Sequence, residues 1–412
     1  MLRRITPIIF IFFSTLFFWW VLSGNVEFRS DTQDRKLKMA VGQLWGTAQH
    51  QQAPKMLWHY KEKVEVQRKD KDGRFITKIE ERTFRKSISL SKSDIKVNLE
   101  LNHRKKGLLW YATYRVNFSA AYVIENTSDK LRQMSVNFEF PNKNGVYDDF
   151  LLKMGQEKVA DLKIEYGTLS HFFKLQPGEK ETVEFSYTSQ GMDEWWYGFG
   201  TNVTLVKDFS LKMQTNFSDI DFPQNSISPG KKEKTAKGWN LSWQYKNLLS
   251  GVQIGMSMPK KLNPGPWVSR VTFYAPVSLF LFFFLLFVLT TIRKIKIHPM
   301  NYFFLAASFF SFHLLLAYLV DHISVYLAIV LCSIVSLFLV ISYMRLLVNA
   351  RFAFLETGIS QFVYLVLFSC TFFFEKYTGL AVTILCIVTL FIIMQITAKV
   401  DWEESFQENK SI

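Results

Sequence analysis

The sequence predicts an α+β membrane protein with six transmembrane helices, one N-terminal and five C-terminal, plus a large extracytoplasmic antiparallel β-sandwich-like domain. Three observations carry this. Uncharged stretches long enough to cross a bilayer fall at residues 5–23, 272–292, 300–320, 323–344, 357–374 and 377–398; about 20 residues at 1.5 Å each span the hydrocarbon core. Residues 24–270 hold 39 Lys+Arg against 28 Asp+Glu, which supplies +11 of the chain's +14. Within that basic region, short alternating apolar runs are separated by turn residues, the pattern of many short strands.

The first stretch follows Arg3-Arg4 and ends on Phe17-Phe18-Trp19-Trp20. Those bulky residues make a poor cleavage site, so residues 1–23 are expected to stay as an anchor. Residues 28–49 then show one helical stripe at Leu37, Ala40, Val41, Leu44 and Ala48, ended by Pro54, and 24–54 is expected to be a helical stalk. From 55 to 258 the pattern is β. Asp72-Gly73 between extended runs signals a hairpin, and Ile95-Lys96-Val97-Asn98-Leu99-Glu100-Leu101 alternates strictly. Residues 108–120 read as one strand, with further strands at 134–140, 162–166, 182–187, 209–215 and 241–245. There is room for two fused sandwiches. Residues 259–271 form a Pro-rich linker in which Trp267 stands where an interfacial anchor belongs. A five-helix block (272–398) and a cytoplasmic tail (399–412) complete the chain. The fifth stretch is the shortest and carries Gln361, so a re-entrant segment is the alternative there.

Basic residues in short loops set orientation. Arg3, Arg4, Arg293, Lys294, Lys296, Arg345, Arg351 and Lys399 all fall on one side of a six-span arrangement. Both termini are therefore expected in the cytoplasm and residues 24–271 in the periplasm of a multi-pass inner-membrane protein. The lipid bilayer is one partner. A basic outward domain also suits an envelope polysaccharide, anionic lipid or a membrane protein, and its location argues against nucleic acid. All three cysteines lie within the apolar stretches, so the external domain is expected to fold without disulfides.

Signals for catalysis are sparse. Asp148-Asp149 and Asp193-Glu194 are paired carboxylates, but adjacent strand residues point to opposite faces, and solvated turns are the simpler reading. Asp193, Glu194, Trp195, Trp196 and Tyr197 together make a candidate ligand groove, since aromatics beside carboxylates can hold sugars; buried, the same rings would fill a core. The external histidines match no metal-ligand spacing, and no cofactor is expected. Inside the membrane, His313, Gln361 and Gln395 are the polar candidates, with Glu356 placed near Arg351. His313 is expected to donate one hydrogen bond to a neighbouring helix. A polar cavity around His313 and Gln395 would indicate transport. A cleft of carboxylates beside Trp195 would indicate an enzyme acting on envelope glycans.

Two segments carry a family resemblance. The first reads Arg29-Ser30-Asp31, then Trp45-Gly46, Gln49 and Pro54; the second reads His298-Pro299-Met300-Asn301-Tyr302, then Leu314-Leu315-Leu316 and Asp321-His322. Together with Asp401-Trp402 after the last stretch and the Arg104–Leu108 basic turn, they resemble the inner-membrane CreD family. Departures such as Ala53-Pro54 for Gly-Pro and Val320-Asp321-His322 for Ser-Glu-His mark a divergent member. The resemblance implies a bacterial inner-membrane protein linked to envelope integrity or stress response. It carries over no catalytic residues. Physically, Pro299 suits the first turn of a helix, where its missing N–H costs nothing.

Overall fold

A computed structural model describes residues 2–69, 75–107, 109–200, 203–374 and 377–398. The Asp72-Gly73 turn, Leu108, and Asp401-Trp402 lie outside the described residues. The chain divides into two compact units: Met1–Lys36, Gly107–Leu109 and Leu262–Ile412 make up the first, and Leu37–Lys106 with Trp110–Lys261 the second.

The first unit is helical. Its members are α1 (Leu2–Trp45), which contributes its first part, α2 (Pro264–Ile292), α3 (Pro299–Leu319) and α4 (Val325–Leu347), then a fifth span Phe352–Phe373 and a sixth span Thr378–Thr397. Among the described residues these six helices are long and apolar enough to cross a membrane. The sequence boundaries need three corrections. The α2 helix begins at Pro264, because Pro264 and Pro266 sit in its first turn, where no N–H is required; the linker shrinks accordingly. Trp267 is not an exposed anchor but fully buried, its ring stacked on Phe373 at 4.7 Å. The fifth span starts at Phe352 and runs on to Phe373 through alternating π and α turns, including π stretches at Phe352–Gly358 and Phe362–Leu367. At 22 residues it is a helix long and apolar enough to cross a membrane.

Small residues join α1 to α2. Ser23 Oγ donates to the Ser269 carbonyl at 3.0 Å, and Ser269 Oγ donates back to the Ser23 carbonyl at 3.3 Å. Two turns on, a Cβ on Gly265 would collide with the Ser30 side chain. In lipid there is no hydrophobic drive between helices, so close backbone approach and such hydrogen bonds hold them together. Trp19, Phe282, Phe309 and Phe312 fill the centre of this unit and are fully buried.

The second unit is built of β1 (Gln49–Gln52), β2 (Lys55–Lys69), β3 (Phe75–Ile88), β4 (Lys92–Leu101), β5 (Arg104–Lys106), β6 (Leu109–Tyr111), β7 (Thr113–Glu125), β8 (Arg132–Glu139), β9 (Tyr147–Met154), β10 (Glu157–Lys158), β11 (Lys163–Glu165), β12 (Thr168–Leu175), β13 (Lys180–Met192), β14 (Glu194–Gly198), β15 (Thr204–Thr215), β16 (Lys231–Lys234), β17 (Trp239–Ser250) and β18 (Ile254–Ser257). An eight-stranded sheet has the order β10-β9-β13-β7-β4-β15-β17-β16. A five-stranded sheet has the order β11-β12-β8-β2-β3, and a three-stranded one β1-β14-β18. Ladders are mostly antiparallel, but β15 runs parallel to β4 and β1 parallel to β14, so the sheets are mixed. The long connection between β4 and β15 is what permits a parallel return. Residues 108–120 are not one strand: the chain breaks at Ala112, between β6 and β7.

The two larger sheets face each other through Phe138 of β8, stacked on Phe185 of β13 at 4.3 Å. The small sheet joins the same core. Tyr197 of β14 packs on Phe209, and its hydroxyl lies 3.1 Å from that of Tyr122. A single core thus runs through all three sheets, in place of two fused sandwiches.

Entry into this core depends on Gly46. The α1 helix stops at Trp45, not at Pro54, because Gly46 takes φ +84° and the chain turns directly into β1. A Cβ at Gly46 would meet the Gln190 carbonyl. Gln49, three residues on, is buried and donates its amide to Ser189 Oγ (2.9 Å) and to the Gln190 carbonyl (2.8 Å). Buried Pro54 marks the passage from β1 in one sheet to β2 in another.

Two outcomes follow. Gly46→Ala should destabilise the β unit by roughly 2–3 kcal/mol, combining left-handed backbone strain with a collision. Gly24→Ala, with open space at its Cβ, should not; thermal unfolding of the two variants in detergent compares them. Burial also pushes the hydroxyls of Tyr114, Tyr122, Tyr187 and Tyr197 well above the ordinary tyrosine range. A raised folded-state pKa contributes stability that is whole below pH ~10 and is lost as pH climbs beyond it. The tyrosinate absorbance contributed by these four should therefore appear in one cooperative step that coincides with loss of the β circular dichroism signal. Ionisation of all sixteen tyrosines without unfolding would contradict the burial.

Candidate functional site

The outward face of the eight-stranded sheet gathers hydrogen-bonding side chains in register. Along β4, β7 and β15 the apolar residues Ile95, Val97, Val116, Phe118, Leu211 and Met213 turn inward and are buried, which leaves the alternate positions outside. One row of Cα partners runs Asn240, Gln214, Asn98, Asn117 and Thr188. The next row runs Ser242, Lys212, Lys96, Ser119 and Ser186. Thr188 Oγ1 donates to Asn117 Oδ1 at 2.9 Å. These rows line a groove of about 830 Å³, bordered by Asp149 and by the Lys231–Glu233 ion pair (2.5 Å). Asp148 and Asp149 belong to strand β9, not to a free turn; Asp149 takes φ +52° where the register with β13 shifts.

The Asp193–Tyr197 segment is differently disposed. Trp195 is fully buried and Tyr197 nearly so. Trp196, between them, is half-buried and donates its indole N–H to Glu194 Oε2 at 2.9 Å, while the His50 ring lies parallel to it at 5.9 Å. Asp193, at φ +69°, pairs with Lys38 at 2.5 Å. Both carboxylates are engaged by neighbours in the fold, and the inward aromatics serve the core. His59 is bound to Ser135 Oγ at 2.8 Å and His103 to the Pro259 carbonyl at 2.8 Å. Desolvation, then Arg85, holds the His59 imidazole below its usual range. Among the described residues no group of three or more His, Cys, Asp or Glu is placed to hold a metal ion.

In the helical unit, polar side chains tie spans together. Gln361 Nε2 donates to Ser336 Oγ (2.8 Å), and Ser336 Oγ donates to the Ser308 carbonyl (2.9 Å), which links the fifth span, α4 and α3. Glu356 pairs with Arg293 after α2, rather than with Arg351. His313 is buried among Trp19, Phe309 and Phe312, and its Nδ1 meets the Phe309 carbonyl of its own helix at 3.2 Å, not a neighbouring helix as expected. A histidine four residues past a carbonyl on one helix reaches it without help from elsewhere. Gln395 is exposed on the sixth span, so the two do not share a cavity. At the other end of α3, Arg29 of α1 pairs with Asp321 at 3.0 Å, donates to the Ala317 carbonyl at 2.5 Å and lies over the Tyr318 ring.

Residues 253–403 match the family model for inner membrane protein CreD. Over that stretch the chain is similar to the CreD family. No curated protein matches the chain. A solved Legionella pneumophila structure, described provisionally as a nutrient binding protein, aligns at 10% identity over 47% of this chain and 73% of its own, with a TM-score of 0.29. A likeness that slight supports no structural or functional argument.

The CreD match covers every helix after α1, and the family-like residues within it now have physical roles. His298 caps α3: its Nδ1 accepts from the Met300 N–H at 3.2 Å, and Pro299 follows at the first helical position. Tyr302, one turn on, is buried edge-on to Phe283 of α2. Asp321 and His322 close the turn after α3, with Asp321 held by Arg29. The earlier motif, Trp45, Gly46, Gln49 and Pro54, lies outside the CreD match but builds the turn into the β unit; Arg104 sits over the Trp45 ring at 3.2 Å.

The sheet-face residues escaped sequence reading. Alternation in 95–101 marks Lys96 and Asn98 as outward, but nothing local says that β15 will lie beside β4.

Because Arg29 makes three contacts and Asp321 one of them, Arg29→Ala should lower the thermal stability of the detergent-solubilised protein more than Asp321→Ala does. The ion pair itself is half-exposed and contributes no more than about 1 kcal/mol. Exchanging the two residues should recover only the pair. Equal losses for the single variants would show that the carbonyl and ring contacts contribute nothing.

Proposed function

We propose that this is a bacterial inner-membrane protein of CreD type that supports cell-envelope integrity under stress, with the β unit in the periplasm contacting envelope components. The CreD match over residues 253–403 carries the reading. The short-loop basic residues support the orientation, with both termini in the cytoplasm. A non-catalytic role accords with how the acidic candidates are spent: Asp193 on Lys38, Glu194 on Trp196 and Glu356 on Arg293. With Asp193 and Glu194 both engaged within the fold, the segment beside Trp195 lacks the facing carboxylates that glycosidic acid–base chemistry uses. The groove on the eight-stranded sheet offers a binding surface for a polymer outside the membrane.

Deleting the gene should sensitise the parent bacterium to detergents and wall-active stress, and full-length protein should restore resistance. Asp193→Asn and Glu194→Gln should restore it equally well at matched protein levels. If either isosteric variant fails while present in normal amount, the non-catalytic reading is wrong. If deletion leaves envelope sensitivity unchanged under every stress, the envelope role is wrong.

A further inference from the structure

We propose that the outward face of the eight-stranded sheet binds an anionic saccharide, its acidic group seated between Lys96 and Lys212 and its hydroxyls on the adjoining amide row. The starting point is an electrostatic conflict. Lys96 and Lys212 are direct register partners on parallel neighbours β4 and β15. Their backbones are therefore about 4.8 Å apart, and both side chains leave the same exposed face. Like charges placed directly opposite destabilise a sheet. Among the described residues, no acidic side chain pairs with either lysine. Of the two acidic side chains lining the groove, Glu233 is taken by Lys231 at 2.5 Å, and Asp149, at its border, forms an ion pair with neither Lys96 nor Lys212. Elsewhere on this sheet the usual solution is in place: Lys153 and Glu184, also register partners, form an ion pair at 4.0 Å. The uncompensated pair lies in the middle of the groove, where an arriving anion would remove the repulsion.

The surroundings select the rest of the ligand. Asn98, Asn117, Gln214 and Asn240 stand in the adjoining row, and amides both donate to and accept from hydroxyls. Ser119 and Ser242 flank the lysines themselves. At about 830 Å³ the groove is in the range of ligand clefts. The aromatic neighbours Phe118 and Tyr187 are turned inward and buried, so ring stacking contributes nothing from this face. A ligand held by charge and hydrogen bonds alone fits a hydrated acidic sugar better than a neutral glycan or an aromatic base. The acid can be a carboxylate or a phosphate; both meet a lysine pair equally well. This inference deepens the envelope reading above and rests on the β unit facing the periplasm.

The test uses full-length protein in detergent and titration calorimetry with four probes: trigalacturonate, a singly phosphorylated maltotriose, maltotriose and inorganic phosphate. At least one acidic oligomer should bind, with maltotriose and inorganic phosphate at least about tenfold weaker, a difference of ~1.4 kcal/mol. Lys96→Ala with Lys212→Ala should weaken the acidic oligomer by about tenfold or more, Lys→Arg at both should largely retain it, and added salt should weaken it. Near-UV circular dichroism shows whether each variant keeps its fold; Asn117→Ala, at the amide row, gives a second route if the double variant does not. Binding that survives loss of both lysines, equal binding of maltotriose, or no binding by either acidic oligomer overturns the proposal. Inorganic phosphate binding as well as the oligomers overturns its saccharide part. If no acidic oligomer binds while the deletion phenotype holds, the ligand inference alone fails. If the double alanine variant loses binding yet restores resistance fully, the site stands and its link to envelope integrity fails.

Discussion

A polar hydrogen withdrawn from water needs an acceptor, and the buried hydroxyls and amide N–H groups of this chain find one at the points where its architecture is decided. Each hydrogen bond made nets only about 1 kcal/mol, whereas one left open costs 1–3 kcal/mol. The constraint therefore acts on which arrangements are excluded. Ser23 and Ser269 bond reciprocally, so α1 and α2 have one close register. Gln361 would be costly in hydrocarbon, and Ser336 accepts its amide proton while reaching on to α3. In the β unit, Gln49 and Gln51 enter a core of rings. Gln49 bonds to Ser189 and the Gln190 carbonyl, and Gln51 Oε1 accepts from the Tyr187 hydroxyl at 2.7 Å. These amides tie the short β1 strand to β13.

The contacts that do this are local in space and remote in sequence, which explains how much could be read in advance. Six apolar stretches and their flanking charges are one-dimensional signals, and they place all six spans. Errors gather at boundaries. Pro54 looks like the end of the first long helix, yet Gly46 ends it, because a positive φ and a nearby carbonyl only matter once Gln190 is in place. Trp267 looks like an interfacial anchor until Phe373 of a distant span stacks on it. Alternation reveals the inward and outward faces of β4, but the parallel pairing with β15 joins residues more than a hundred positions apart. The candidate groove exists only through that pairing.

The aromatic-acidic segment 193–197 shows the opposite case. Its composition suggests a sugar site, but alternation along β14 sends Trp195 and Tyr197 inward and leaves Trp196 against His50 and Glu194. The face that stays free for a ligand has no such advertisement in the sequence. It consists of lysines, amides and hydroxyls, each an ordinary surface residue by itself. Only their register makes them a surface with a preferred charge.

The account as a whole requires that this polar face and the His298 cap of α3 lie on opposite sides of the membrane. Single cysteines at Lys212 and at His298, each in a background with the three native cysteines replaced, test this by labelling intact cells with a membrane-impermeant maleimide after the outer barrier is opened. The account predicts rapid labelling at position 212 and labelling at 298 only after lysis. Labelling of 298 in intact cells with protection of 212 would contradict it.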